Sequence, residues 1–150
     1  MSLLAVWLTT LGVAVASAII PVINIELYLI GAAALAPKGM AVPLVVAATI
    51  GQMAGKVVMY FAATGAVKLP GRRLHAALEG MNTTLRNRPR SSGALIFASA
   101  AAGVPPFFVM AVAAGAARMN LASFVVFGTL GRLVRFSVCV ALPHLAKDLL

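Results

Sequence analysis

Apolar residues run along this chain in long blocks broken by short polar turns. Three blocks free of acidic groups, Leu3 to Ile20, Met40 to Val67 and Gly93 to Ala117, come near or exceed the roughly 20 residues that a transmembrane helix needs. A fourth, Leu121 to Leu142, is interrupted only by Arg132 and Arg135. The first block predicts a membrane-spanning helix over 3–20, with Trp7 near one end where an indole suits the interface, and it stops at Pro21. Between Pro21 and the turn Pro37-Lys38-Gly39 lies an apolar segment that includes Asn24 and Glu26. At about 1.5 Å per residue this segment is too short to cross a ~30 Å core as a helix. Residues 21–39 are therefore expected to form a re-entrant hairpin, entering and leaving on one side. Such a broken backbone is tolerable in a bilayer only where protein or a water-filled cavity surrounds it.

Residues 40–67 predict the next span. It contains Gly51-Gln52-Met53-Ala54-Gly55, a spacing of small residues that permits close helix approach, and Lys56 follows directly. In 93–118 the sequence Gly103-Val104-Pro105-Pro106 falls near the middle. Tandem prolines remove two backbone donors and push the preceding residue away from helix, which predicts a second re-entrant segment, with a kinked span as the alternative. Arg118-Met119-Asn120 forms a polar turn, and 121–142 gives the last span, closed by Pro143 and followed by the mixed tail His144 to Leu150.

The stretch 68–92 is different in kind. Lys68, Arg72, Arg73, Arg86, Arg88 and Arg90 crowd it, while Leu74, Ala77, Leu78, Met81 and Leu85 recur at helical spacing. That pattern predicts a short amphipathic helix on the membrane surface, with anionic lipid headgroups as partners; an ordinary solvated loop fits equally well. The net charge of +9 and pI near 11.3 would suggest nucleic acid in a soluble protein. Here the basic cluster has the pattern of a cytoplasmic loop, so no nucleic-acid partner is expected. Only 10% of the residues are charged and mean hydropathy is +1.03, against about 25% charged in a soluble domain, too little polar surface to cover the chain in water. The charges place the amino terminus, the 68–90 loop and Arg118 inside, with Lys38 and Lys147 outside; complete crossing by 93–117 would move the carboxyl terminus inside. Ala16-Ser17-Ala18 looks like a cleavage site, but no basic residue precedes the apolar run, which reads as a retained anchor. Cys139 is the only cysteine, which excludes an intramolecular disulfide and points to a small buried hydrophobe.

The two halves of the chain echo one another. Pro21 and Gly31 stand ten residues apart, as do Pro105 and Gly115; each pair is followed by a polar turn and then by a helix carrying Gly55-Lys56 or Gly131-Arg132. With a basic inside loop between them, the halves would enter from opposite faces. The expected fold is thus an all-α integral membrane protein: an inverted repeat of two re-entrant helical hairpins, each followed by a transmembrane helix, plus an amino-terminal transmembrane helix. Inverted repeats with discontinuous segments are a transporter arrangement.

The run Pro21-Val-Ile-Asn-Ile-Glu26-Leu-Tyr-Leu-Ile-Gly31 resembles the proline-then-glutamate re-entrant motif of the DedA family, whose eukaryotic relatives share the VTT domain. Gly51 to Gly65 with Gly55 and Tyr60, Gly103-Val-Pro-Pro-Phe107 with Gly115, and Phe124 to Arg135 with Gly131-Arg132 resemble three further parts of that family in the same order, covering about Pro21 to Pro143. The resemblance implies a multi-pass protein of the bacterial inner membrane that moves lipids, either phospholipids or the undecaprenyl phosphate carrier. Two departures stand against a proton-driven mechanism of the family's kind. Many bacterial members carry an acid where this chain has Lys56, and arginines around the second proline, where it has Ala102 and Phe108.

Glu26 is the only acidic residue well inside the apolar region, since Glu79 and Asp148 lie in polar segments. A charge at the bilayer centre costs roughly 2.5 to 3.5 kcal/mol on insertion scales, so such residues are usually functional. The plainer alternative is a glutamate near the surface, neutral or paired with Lys38. Lys56 and Arg132 are the expected cationic partners for Glu26 or for a lipid phosphate, with Arg135 beside them; snorkelling of both arginines to the interface fits equally well. Asn24, Pro21, Pro105 and Pro106 are expected to shape the hairpin tips, as ligand-facing backbone or as plain helix breakers. Gly31, Gly51, Gly55, Gly115 and Gly131 are expected in packing, and Tyr28 and Tyr60 as interfacial anchors or cavity groups. The place after Pro105 that matches Glu26 holds Met110. His75 and His144 form no cluster, and no nucleophile has an obvious base, so neither metal, cofactor nor enzymatic activity is expected. The alternatives to lipid transport are a non-transporting assembly or quality-control protein and a small membrane enzyme with Glu26 as base. A homo-oligomer is compatible with so short a chain.

Overall fold

The computed structural model describes residues 2–64, 76, 79, 80, 83, 85 and 87–149. The architecture is all-helical, with no strand among the described residues. Its elements are α1 (Leu3–Ile19), α2 (Ile25–Leu35), a 3-10 turn (Lys38–Met40), α3 (Ala41–Thr64), α4 (Pro89–Ala102), α5 (Phe107–Ala116) and α6 (Leu121–Leu149). One order occurs twice: helix, proline-bearing break, helix, short turn, long helix. The chain divides into two compact units, Met1–Gly55 with Arg132–Leu150, and Lys56–Gly131.

In the first unit, Asn24 caps α2, its side-chain oxygen accepting from the amides of Glu26 (2.9 Å) and Leu27 (3.3 Å). These are amides that the first turn of a helix otherwise leaves unbonded. α1 and α2 are antiparallel: the Thr10 and Tyr28 hydroxyls bond at 3.1 Å, and Val6 near the start of α1 shares a groove with Leu35 and Met40 beyond the end of α2. α3 runs parallel to α1 at close quarters. A Cβ on Gly51 would lie 2.7 Å from both the Ala14 Cβ and the Leu11 carbonyl, and one on Gly55 would collide with Ala18. Ala14, Leu29, Leu44, Ala48, Phe136 and Val140 form part of the unit's core, with Cys139 packed partly buried against it.

The second unit uses the same device. A Cβ on Gly131 would lie 2.6 Å from the Ala100 Cβ and 2.6 Å from the Phe97 carbonyl, while Gly93 faces the Phe127 ring, so α4 runs parallel to the start of α6. Gly115 abuts the Tyr60 carbonyl and Ala63. The Tyr60 hydroxyl donates to the Met119 carbonyl, and its ring stacks on Phe124, which stacks in turn on Phe107. α4 ends at Gly103, whose φ of 79° is the left-handed cap that glycine adopts without penalty. Ser99 Oγ donates to the Pro105 carbonyl across the break (2.5 Å).

Several expectations change. α1 has 17 residues, about 25 Å of helix, and packs antiparallel to α2. Residues 21–39 hold the break after α1, α2 and the turn that leads into α3. α6 is not closed by Pro143 but continues to Leu149. A proline removes one i to i−4 bond, and the turn beyond it is held from outside by Lys147 Nζ on the Ala34 carbonyl (2.5 Å) and by the Lys38–Asp148 salt bridge (3.0 Å). Gly31 is exposed, and a Cβ there would meet nothing within 4 Å, so it takes no part in packing among the described residues. Of the basic stretch, Lys68, Arg72, Arg73 and Arg86 lie outside the described residues, as do Leu74, Ala77, Leu78 and Met81; residues 76, 79, 80, 83, 85 and 87 are helical.

Two helical stretches, Lys38–Thr64 and Leu121–Leu149, are long and apolar enough to cross a membrane. α6 exposes Val126, Leu130, Val134, Val138, Leu142, Leu145 and Leu149, a stripe at helical spacing. Only 28% of its most apolar window is buried. The core helix of a soluble protein would hide that face.

Candidate functional site

The site forms where the tip of the first helical pair meets α6. Pro21, within the break, donates no amide, and the chain restarts as helix at Ile25 under the Asn24 cap. Glu26 thereby occupies the first turn of α2, where a negative charge is favoured by the helix dipole. α6 presents Arg132, Arg135, Phe136 and Cys139 at spacings of three, one and three, which is one helical face. Phe136 is wholly buried and fixes the rotation of α6. With that rotation set, Arg135 Nε donates to Glu26 Oε1 at 2.5 Å, the two side chains being 24% and 29% exposed. Arg132, one turn earlier, is 9% exposed, with its guanidinium carbon 5.6 Å from the centre of the Phe136 ring.

Among the expected site residues, Glu26, Arg135 and Arg132 thus come together with Asn24 supporting them. The carboxylate of Glu26 accepts from Arg135. Lys38, the partner in the plainer alternative, bonds Asp148 instead. Lys56 belongs to the second unit, where it is 4% exposed and its Nζ lies 5.3 Å from the centre of the Phe108 ring. Pro105 and Pro106 lie in the α4–α5 break, the bond before Pro105 being cis. Met110 is wholly buried in that unit. Tyr28 and Tyr60 both use their hydroxyls in bonds within their units.

Sequence reasoning passed over a buried polar pair beside the first break. Gln52, 3% exposed, donates from Nε2 to Ser17 Oγ (2.5 Å), and Ser17 donates to the Ala14 carbonyl (2.9 Å). The available signal was the triplet Ala16-Ser17-Ala18, which recurs as Ala98-Ser99-Ala100 in the last turns of α4. Its serine bonds near the break in each unit, and its second alanine receives the glycine of the long helix.

Two guanidiniums and one carboxylate leave the site one positive charge in otherwise apolar helices. A guanidinium carries five donors in a planar fork that matches phosphate oxygens. The arrangement suits holding an anionic group where Glu26 and that group compete for the same cations. No protein-family model matches the chain, and comparisons with curated proteins and with solved structures return no match.

Proposed function

We propose that this chain is an integral membrane protein, related to the DedA and VTT-domain proteins, that moves lipids with phosphate headgroups across the bilayer. In this reading the α1–α2 and α4–α5 pairs are re-entrant hairpins entering from opposite faces, α3 and the long α6 cross the membrane, and Glu26 with Arg135 and Arg132 meets the passing headgroup. The observation that carries it is the Glu26–Arg135 ion pair at a proline-broken helix tip. Ionisable groups in membrane segments are expensive and tend to mark substrate paths. The exposed apolar stripe of α6 and the glycine contacts of α3 and α6 support insertion and close helix packing in lipid. A bacterial inner-membrane location goes with the same proposal.

The test is reconstitution in liposomes carrying fluorescent lipids of several headgroups. Phosphate-bearing lipids are expected to equilibrate between leaflets with the native chain, and at least tenfold more slowly with Glu26→Gln or Arg135→Gln proteins that insert normally. Equilibration no faster than in protein-free liposomes would remove transport and leave a structural or assembly role; a changed lipid mass would point to an enzyme.

A further inference from the structure

A second feature of the first unit has no part in the ion-pair site. A groove of about 660 Å³ runs along the outside of the first pair, lined by Val6, Leu27, Gly31, Ala32, Leu35 and Met40. Gly31 opens it, since nothing stands within 4 Å of where its Cβ would be, and Leu27 and Leu35 form exposed walls. The hydroxyl of Tyr28, which also lines it, is engaged with Thr10. The groove follows α2 from Leu27 to Ala36, which at about 1.5 Å per residue is close to 14 Å, or half of a ~30 Å hydrocarbon core. One end adjoins the Glu26 turn; the other reaches Pro37 and Met40, on either side of exposed Lys38. Lys147 and Asp148 join Lys38 there, two cations against one acid.

We propose that this groove seats one acyl chain of an anionic phospholipid from the leaflet on the Lys38 side, with its phosphate at Lys38 and Lys147. Length, apolarity and charge agree on that occupant: the groove is one leaflet deep, its wall is mostly apolar, and its mouth carries excess positive charge. The inference rests on the membrane reading above but not on transport. A lipid seated in this way has its tail lying against the helix that bears Glu26, so the groove defines a loading position for the proposed path.

The full chain is reconstituted in vesicles of phosphatidylcholine with a minor share of phosphatidylglycerol, either lipid carrying a diazirine near the end of one acyl chain, and adducts are mapped after irradiation. Adducts are expected to concentrate on Leu27 and Tyr28, at the end of the groove far from Lys38, several-fold more with the phosphatidylglycerol probe, and that preference should vanish in Lys38→Gln/Lys147→Gln. Gly31→Phe, and independently Leu27→Trp, should cut groove labelling at least fivefold while labelling of Val134 and Val138 on α6 stays unchanged, which also reports correct insertion. Labelling of the groove no denser than that of α6, or indifference to both filling variants, would overturn the proposal. So would a disulfide-linked dimer through Leu35→Cys in a Cys139→Ser background, which would assign the groove to a second copy of the chain. Groove labelling by a protein that moves no lipid would keep this inference and remove the transport reading; lipid movement without groove labelling would do the reverse.

Discussion

Removing one member of the Glu26–Arg135 pair should cost more than removing both. The two side chains are 24% and 29% exposed, which excludes the fully solvated regime in which ion pairs contribute about 0.2–1 kcal/mol. In an apolar segment a lone charge costs roughly 2.5–3.5 kcal/mol on insertion scales, and breaking a buried pair by deleting one partner costs about 3–5 kcal/mol. Partial exposure lowers both figures, so Arg135→Gln should destabilise by about 2–3 kcal/mol. Glu26→Gln should cost about as much, because it leaves Arg132 and Arg135 as two like charges on one helix face without the Glu26 carboxylate, although their long side chains can reach water more readily than a short carboxylate. The double variant leaves Arg132 as the site's single positive charge, the same net charge as in the native site, and should lie within about 1 kcal/mol of the native chain, giving a coupling near 3–4 kcal/mol in a double-mutant cycle. Reversible unfolding of the four proteins in lipid-detergent micelles measures it. Additive losses, with the double variant as unstable as the sum of the singles, would mean that the two groups do not depend on each other and that the pair is not what holds the tip against α6.

Three further outcomes follow from local geometry. Gly131→Ala should destabilise by about 1–3 kcal/mol because its new methyl group meets Ala100 and the Phe97 carbonyl at 2.6 Å, whereas Gly31→Ala should be neutral or stabilise by up to about 1 kcal/mol; unfolding midpoints of the two compare them directly. Arg118 holds a φ of 51° in the turn before α6, so Arg118→Gly should stabilise by about 0.5–1 kcal/mol and Arg118→Val should do the opposite, read by the same midpoints. The Lys38–Asp148 bridge joins side chains 68% and 61% exposed, and Lys38→Gln should therefore change stability by less than about 1 kcal/mol, a difference that half-molar salt erases.

The helix order and both breaks were legible because proline and glycine act locally: Pro21 and Pro105-Pro106 do stand between helices, and Gly51, Gly55, Gly115 and Gly131 do stand where another element comes close. The partner of Glu26 was not legible. Arg132 and Arg135 share one face of α6 about 4.5 Å apart along its axis, and which of them meets Glu26 is set by the level at which the tip of α2 packs on α6, a contact across more than a hundred residues of sequence. The extent of α6 was missed for a related reason, since contacts from Ala34 and Lys38 hold the turn that Pro143 would otherwise release. The equivalence of Gly31 with Gly115 rested on a ten-residue spacing from a proline. That spacing ignores the breaks: α2 starts four residues after Pro21 and α5 two residues after Pro105. Gly31 is then the seventh residue of its helix and Gly115 the ninth, about 200° apart around the axis. One faces outward and the other a carbonyl.

Counting from the helix starts instead changes which residue answers Glu26. The second residue of α2 is Glu26, and the second residue of α5 is Phe108, not Met110. Each meets a cation inside its own unit, Glu26 the guanidinium of Arg135 and Phe108 the ammonium of Lys56. Both tips therefore present an electron-rich group to a cation, as a carboxylate in one unit and an aromatic face in the other. An exposed cation–π contact contributes about 0.5–1 kcal/mol and a desolvated one about 2 or more, so the aromatic version is the weaker but carries no charge that must be kept matched. If this correspondence is physical, Phe108→Glu should be accepted, because Lys56 at 4% exposure already stands where the new carboxylate arrives. The expected loss is under about 1.5 kcal/mol in Phe108→Glu, about 2–3 kcal/mol larger in Phe108→Glu/Lys56→Gln, where the carboxylate has lost its cation. Unfolding in micelles reads the stability, and circular dichroism at the start of each melt verifies that the helices have formed. Equal losses with and without Lys56 would show that the second tip offers a carboxylate no cation, and that the two tips are alike in backbone order alone.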